Sequence, residues 1–359
     1  MKLIDRYIIR KFLGTFFFSM ALIILIVVVF DISEKIDDFI AKEAPLKAII
    51  FDYYLNFIPF FLNLFSPLFT FIAVIFFTSQ MANRTEIVAI LSSGVSYRRL
   101  LVPYMVAATV IAILSLYLNN FVIPHSTKKQ IAFEDIYIRN EFHNNDRNIH
   151  KQISPGNYIY LERYSTDENI GYKFSIEKFS KGKLYYKLMA DSIKWDSTKS
   201  NWSIRKYYIR YINGMDEYIR TGKKIDTSFA FTPAEFGRKD NMVGTMDYFE
   251  LNKYIDSERL KGSDNIEFYE TEKYQRTAFP FATFILTLIG ASIASRKIRG
   301  GIGMHIGLGI LISFTFIMFM KISTTFATNG SGLSPLLAVW IPNILFGFLA
   351  WYLLKIAQK

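Results

Sequence analysis

The residues with most chemical potential here are charges set against apolar runs, not a catalytic constellation. Glu86 lies in the stretch Asn83-Arg84-Thr85-Glu86-Ile87-Val88-Ala89-Ile90-Leu91-Ser92-Ser93-Gly94-Val95-Ser96, where Ile87, Ile90 and Leu91 recur at helical spacing and Gly94 is placed to stop the helix. The pattern predicts a short amphipathic helix along a membrane surface, read either as a plain connector or as a contact element. Lys321 is the only Lys or Arg well inside an apolar run. At about 1.5 Å per residue it lies roughly 28 Å from the start of its helix, where an ammonium either pairs with an anion or snorkels to the interface. Lys128 and Lys129 follow another apolar run and read as solvated lysines or as a second anion contact. His125, His143, His150 and His305 have no ligand spacing, so no metal site and no cofactor are expected. Neither a Gly-x-Ser-x-Gly elbow nor a G-x-x-x-x-G-K-[ST] loop occurs, so the chain has no catalytic residues to assign and no usual cradle for ATP phosphates.

The elements that must position these charges are membrane helices. Hydrophobic residues make up 51% of the 359, and they come in long uncharged runs. Six spans are predicted: Phe12 to Phe30, Tyr53 to Thr78, Leu101 to Ile123, Ala278 to Ala294, Ile302 to Ala327 and Leu333 to Leu354. The first follows a charged start but has no small-residue cleavage site after Phe30, and is read as a retained helix. Pro59 and Pro67, with Asn56 and Asn63, predict a kinked second span that faces protein or a cavity. Net charge is +11, yet the basic residues cluster beside spans: Lys2, Arg6, Arg10 and Lys11; Arg84, Arg98 and Arg99; Arg296, Lys297 and Arg299; Lys355 and Lys359. All four clusters fall on one side, which places both termini in the cytoplasm and residues 125–275 outside. The charge is thus spent on orientation, and no nucleic-acid partner is expected. With no cysteine, disulfides and thiol chemistry are excluded.

The outer segment reads as strands at Tyr158 to Leu161, Tyr172 to Ile176, Leu184 to Tyr186, and Trp202 to Ile204 running on to Tyr207 to Ile209. Pro155-Gly156, Gly171, Gly182 and Asn213-Gly214 bound them, and an antiparallel sandwich or jelly roll is expected. Asp247 to Tyr274 is charged and helix-compatible, a connector back to the membrane. The organisation is therefore residues 1–124, three transmembrane helices with a surface helix near 83–96; 125–275, the outer β domain and connector; and 276–359, three further helices.

An acid followed by an apolar helical turn and a Gly-x-Ser ending resembles the coupling helix of the LptF/LptG family of lipopolysaccharide export permeases. The opening Leu3-Ile4-Asp5-Arg6-Tyr7-Ile8 is similar to that family's, leaning to the LptG-like paralogue, and so is Ala190-x-x-Ile193-x-Trp195 followed by Trp202-x-Ile204. The resemblance covers nearly the whole chain. It implies an α-helical polytopic membrane protein of six transmembrane helices with an inserted periplasmic β-jellyroll domain. It implies an inner-membrane subunit of an ABC transporter, itself not an enzyme. The implied partners are a cytoplasmic ABC ATPase dimer, a paired permease paralogue and a single-span periplasmic β-jellyroll relay protein, with lipopolysaccharide as substrate. Glu86, with Arg84, Ile90 and Gly94, would meet the ATPase. Lipopolysaccharide would enter between helix one of one permease and helix five of the other. Lys321, Lys128, Lys129 and Lys35 would contact its headgroup, while Tyr158, Tyr160, Ile193, Trp195, Trp202 and Ile204 would line the jellyroll. The family often has basic residues at the outer end of helix one, whereas this chain has Asp31, Glu34, Asp37 and Asp38 around Lys35, an arrangement suited to phosphate only through a bridging divalent cation. An ion-coupled transporter would need mid-membrane acids, and the acids here cluster at helix ends. A non-transporting scaffold, docking through a strand edge, would not depend on Glu86.

Overall fold

The computed structural model describes residues 3–138, 147–166, 168–229, 231–236, 242–261, 263, 265–296, 301–328 and 332–357. Lys2, His143, Lys297, Arg299 and Lys359 lie outside the described residues. The chain divides into two compact units, one of residues 1–138, 244–248 and 267–359 and one of residues 139–243 and 249–266.

The first unit is helical. In chain order the helices of the protein are α1 (Leu3–Ala41), α2 (Leu46–Asn83), α3 (Glu86–Ser92), α4 (Tyr97–Tyr137), α5 (Tyr248–Leu260), α6 (Ile266–Ala294), α7 (Gly301–Thr328) and α8 (Pro335–Ala357). All but α3 and α5 are long and apolar enough to cross a membrane. At about 1.5 Å per residue α1 is roughly 58 Å long, well beyond a hydrocarbon layer of about 30 Å, so its ends project into the interfaces. The third span likewise runs on as helix past residue 124, the expected domain boundary, to Tyr137.

At the centre of this unit stands α2. Its Phe71 and Ile75, both fully buried, join a cluster with Leu286 and Ile289 of α6 and Phe316 of α7, while Val74 and Phe77 join Phe12 of α1 and Tyr104 of α4. Close approach depends on two glycines: a Cβ on Gly309 would meet the Ile75 side chain at 2.5 Å, and one on Gly290 would meet Phe71 at 3.0 Å. The beginning of α2 winds as a π-helix over Ile49–Tyr54, and Asn56 Nδ2 donates to the carbonyls of Phe51 and Asp52 at 2.9 and 3.0 Å. Asn56 and Asn63 are both buried, so the second span turns its polar face to protein as its sequence predicts.

In the second unit β1 (Arg147–Ser154), β2 (Asn157–Ser165), β3 (Ile170–Ser180), β4 (Lys183–Asp196), β5 (Asn201–Asn213) and β6 (Asp216–Thr227) form one antiparallel sheet in sequence order. Among the described strands every connection is a hairpin, without the crossovers of a Greek key. One face carries the core, with Ile159, Leu161, Phe174, Leu188, Ile193, Trp202 and Ile204 buried against Phe231 and Phe236. Burying a side chain such as Phe174 or Leu161 is worth about 2–3 kcal/mol. The four central strands were legible as β-branched and aromatic runs. The edge strands have no fully buried position: β6 is exposed on most of its length, and β1 is largely half-buried, with Ile149 and Ile153 packed on the core. The expected connector, 247–274, consists of α5 and the first turns of α6.

Candidate functional site

On the side that carries the basic clusters, α2 ends at Asn83 and Thr85 takes a left-handed conformation (φ 59°) that redirects the chain into α3. The short helix is anchored by Ile87, buried among Ile8, Met81 and Tyr97, with Ile90 half-buried beside it. Val88 (60% exposed) and Leu91 (36%) face outward, leaving an apolar surface on an element bounded by charge. Gly94 closes it at φ +87°, in open space, so the backbone angle and not crowding calls for glycine.

Glu86 opens α3 and is half-buried because the Tyr7 hydroxyl donates to its Oε2 at 3.0 Å. Next to it Arg99, at the start of α4, donates from Nη1 and Nη2 to the two oxygens of Asp5 at 2.8 and 2.7 Å. Asp5 is 6% exposed. The start of α1 is therefore tied to both the short helix and α4. Asp5, Tyr7 and Arg99 are the residues sequence reasoning missed as a group. The only signal was the Asp5-Arg6-Tyr7 opening, while Arg99 was absorbed into the orienting cluster. Arg84 is exposed two residues before Glu86, in the bend between α2 and α3.

At the other end of α1, Lys35 is not a free cation. Its ammonium pairs with Asp31 at 2.9 Å, bonds the Tyr53 hydroxyl and lies 4.8 Å from the centre of the Tyr53 ring. Asp31 also accepts from Tyr53 and Tyr54 at 3.2 and 3.1 Å. Lys128 and Lys129 are exposed on the extension of α4, and Lys321 is exposed on α7, all three without an acidic partner among the described residues. His305 sits buried against Ser79, Nδ1 to Oγ 2.7 Å, a polar contact between α7 and α2.

The sheet separates the six expected lining residues. Ile193, Trp195, Trp202 and Ile204 belong to the core face, where Trp202 is fully buried, donates from Nε1 to the Phe231 carbonyl at 2.9 Å and packs edge-on to Trp195. Tyr158 and Tyr160 flank the buried Ile159 and so point to the opposite face, where with Met189, Lys187, Glu177 and Tyr208 they border a groove of about 510 Å³. They cannot line the same interior as Trp202. The Tyr-Ile-Tyr-Leu run is apolar throughout, so it did not declare which parity faces inward. On this outer face, and on the edges, charges pair: Lys187 with Glu177 at 2.6 Å, and Arg210 Nε with Glu217 Oε2 at 2.8 Å. That arginine's hydrogen bond holds the Glu217 carboxyl below its ordinary range. Burial pushes the Tyr164 phenol up.

A family model described as the lipopolysaccharide export system permease LptF/LptG matches residues 6–356. No curated protein matches the chain.

Proposed function

The chain belongs to the LptF/LptG family of lipopolysaccharide export permeases, and from that premise we propose that it is a transmembrane subunit of an ATP-driven exporter, paired with a second permease and carried by a cytoplasmic ATPase dimer. The carrying observation is Glu86 at the head of α3, held by Tyr7 and followed by outward-facing Val88 and Leu91. A carboxylate beside an exposed apolar turn suits a basic groove, with the charge giving register and the apolar turn giving contact area. Arg84, Ile90 and Gly94 shape that contact, and movement of α3 reaches α1 through Tyr7.

Of the six spans, the first and fifth are the least buried, with only 17% and 22% of their most apolar windows enclosed. These are the two helices expected to form a lateral entrance with a partner permease, and their bare apolar surfaces support that assignment. Lys321, Lys128 and Lys129, exposed and without an acidic partner among the described residues, would meet substrate phosphates, whereas Lys35 must first leave Asp31. In the periplasmic domain the Ile193, Trp195, Trp202 and Ile204 face would shield acyl chains once the Phe231 and Phe236 segment lifts from it, and the sheet edge would pass them to a single-span relay protein.

Purification through a tag on this chain, with mass spectrometry of bound protein and lipid, should recover the ATPase, the second permease and a lipid A-bearing glycolipid. In the reconstituted complex, Glu86→Ala should lower lipopolysaccharide release by about tenfold or more while leaving insertion intact, the scale expected for truncating a buried interfacial charge. Full release by that variant would remove Glu86 from the mechanism.

A further inference from the structure

A groove of about 540 Å³ runs along the inner half of α1, lined by Tyr7, Arg10, Lys11, Gly14, Thr15 and Phe18 with Phe76 of α2. The α1 residues recur at three- and four-residue spacing, so they share one face of the helix. Arg10 and Lys11 are both exposed, and among the described residues neither has an acidic partner; Lys11 lies only at 5.9 Å from the Tyr7 ring centre. No acid lines the groove. Phe18 (67% exposed) and Phe76 (40%) lie deeper, with Phe18 about 12 Å along the axis from Arg10 at about 1.5 Å per residue. Between them Gly14 leaves a notch, since a Cβ built there meets nothing within 4 Å.

Two unpaired cations at headgroup level, a notch, and two exposed aromatic rings along the acyl region match one class of molecule from end to end. We propose that this groove binds an anionic glycerophospholipid, its phosphate between Arg10 and Lys11 and one acyl chain laid over Gly14 against Phe18 and Phe76. A zwitterionic lipid would add an ammonium of its own beside the two cations, so the site selects for net negative charge. The assignment to the cytoplasmic leaflet rests on the orientation used above, but the site itself does not. Because Tyr7 both borders the groove and holds Glu86, the seated lipid lies directly against the α1–α3 contact.

The test uses the full-length chain in nanodiscs of phosphatidylcholine, with trace spin-labelled phosphatidylglycerol or spin-labelled phosphatidylcholine as probe. Electron paramagnetic resonance should show phosphatidylglycerol motionally restricted with about tenfold preference, the scale of two surface cations. Arg10→Gln with Lys11→Gln should abolish the preference, and Arg10→Lys with Lys11→Arg should keep it. Gly14→Leu fills the notch without touching the cations and should release the lipid even though the charge remains. Equal restriction of both probes would overturn the proposal. So would an unaltered preference in Gly14→Leu, since a diffuse charge effect or a partner helix on this face would then account for the groove. Because the readout needs neither ATPase nor lipopolysaccharide, failure here leaves the export reading untouched, and failure of export leaves this site untouched.

Discussion

Two bidentate arginine–carboxylate pairs differ in the setting of the carboxylate. Arg99 holds Asp5 in the helical unit through Nη1 and Nη2, where the aspartate is 6% exposed although the arginine side chain is 38% exposed. Arg210 holds Glu217 across β5 and β6, where both side chains are more than a third exposed. Each pair is made by two hydrogen bonds, but the cost of breaking them differs. A buried carboxylate that loses its cation keeps the full penalty of its desolvation, whereas an exposed one is taken over by water. The difference also divides their roles: the Asp5 pair fixes where α1 starts relative to α4, while the Glu217 pair trims the edge of a sheet that is already held by its ladder.

The largest expected effect follows from taking Arg99 away from Asp5. Arg99→Ala should lower the thermal midpoint of the detergent-solubilised protein by on the order of 5 °C, because a nearly buried carboxylate loses its bidentate cation. The double substitution Asp5→Asn with Arg99→Gln should be milder than Arg99→Ala alone, since no charge is then left unpaired. A double variant that melts lower than the single one would reverse the comparison and make the pair itself, not the avoidance of a stranded charge, the source of stability.

Between the two extremes stands a buried but uncharged case. Asn63 Nδ2 donates to Asn119 Oδ1 at 2.7 Å, and Ser115 Oγ donates to Asn63 Oδ1 at 2.6 Å, joining α2 to α4 within the membrane region. Asn63→Ala removes both bonds without stranding a charge, and should cost about 1 kcal/mol by equilibrium unfolding in mixed micelles, near the measured range for hydrogen bonds between membrane helices. A loss as large as that of Arg99→Ala would show that burial alone, independent of charge, sets the scale.

What could be seen in the sequence follows the same division. The six spans declare themselves by long uncharged runs, the turn at Glu86 by its 3.6-residue period, and the four central strands by β-branched and aromatic content between turn residues, all of them local signals. Contacts such as Asp5 with Arg99, 94 positions apart, have no local period; both residues sit in a cationic interface whose average charge already explains an arginine. Strand faces were hidden for another reason. In β3 and β5 the buried parity switches across Lys173 (φ 52°) and Lys206 (φ 49°), both in the left-handed region, so counting by twos from Trp202 loses the face within a few residues. The edge strands β1, largely half-buried, and β6, mostly exposed, have no fully buried position and so carry no buried stripe for a sequence pattern to report.

The smallest effect belongs to Glu217. Its carboxyl is held below its ordinary value of 4.5, first by the hydrogen bond from Arg210 and then by the arginine's charge. A carboxyl with a depressed folded-state pKa contributes stability above the unfolded value, and that contribution disappears as pH falls through the folded one. Glu217→Gln should therefore shift the midpoint by only about 1 °C at pH 7, as surface pairs generally do, and added salt should erase even that. As pH falls below 4.5 the difference between variant and parent should shrink, and it should vanish once pH has passed the depressed folded-state value, where the parent's carboxyl takes up the proton that removes its charge. A difference that persisted undiminished into that acid range could not come from the ion pair; it would have to come from the packing of the Glu217 side chain along the sheet edge. The exposed pair would then matter for its shape, and the contrast with Asp5 would be one of packing as well as of solvent.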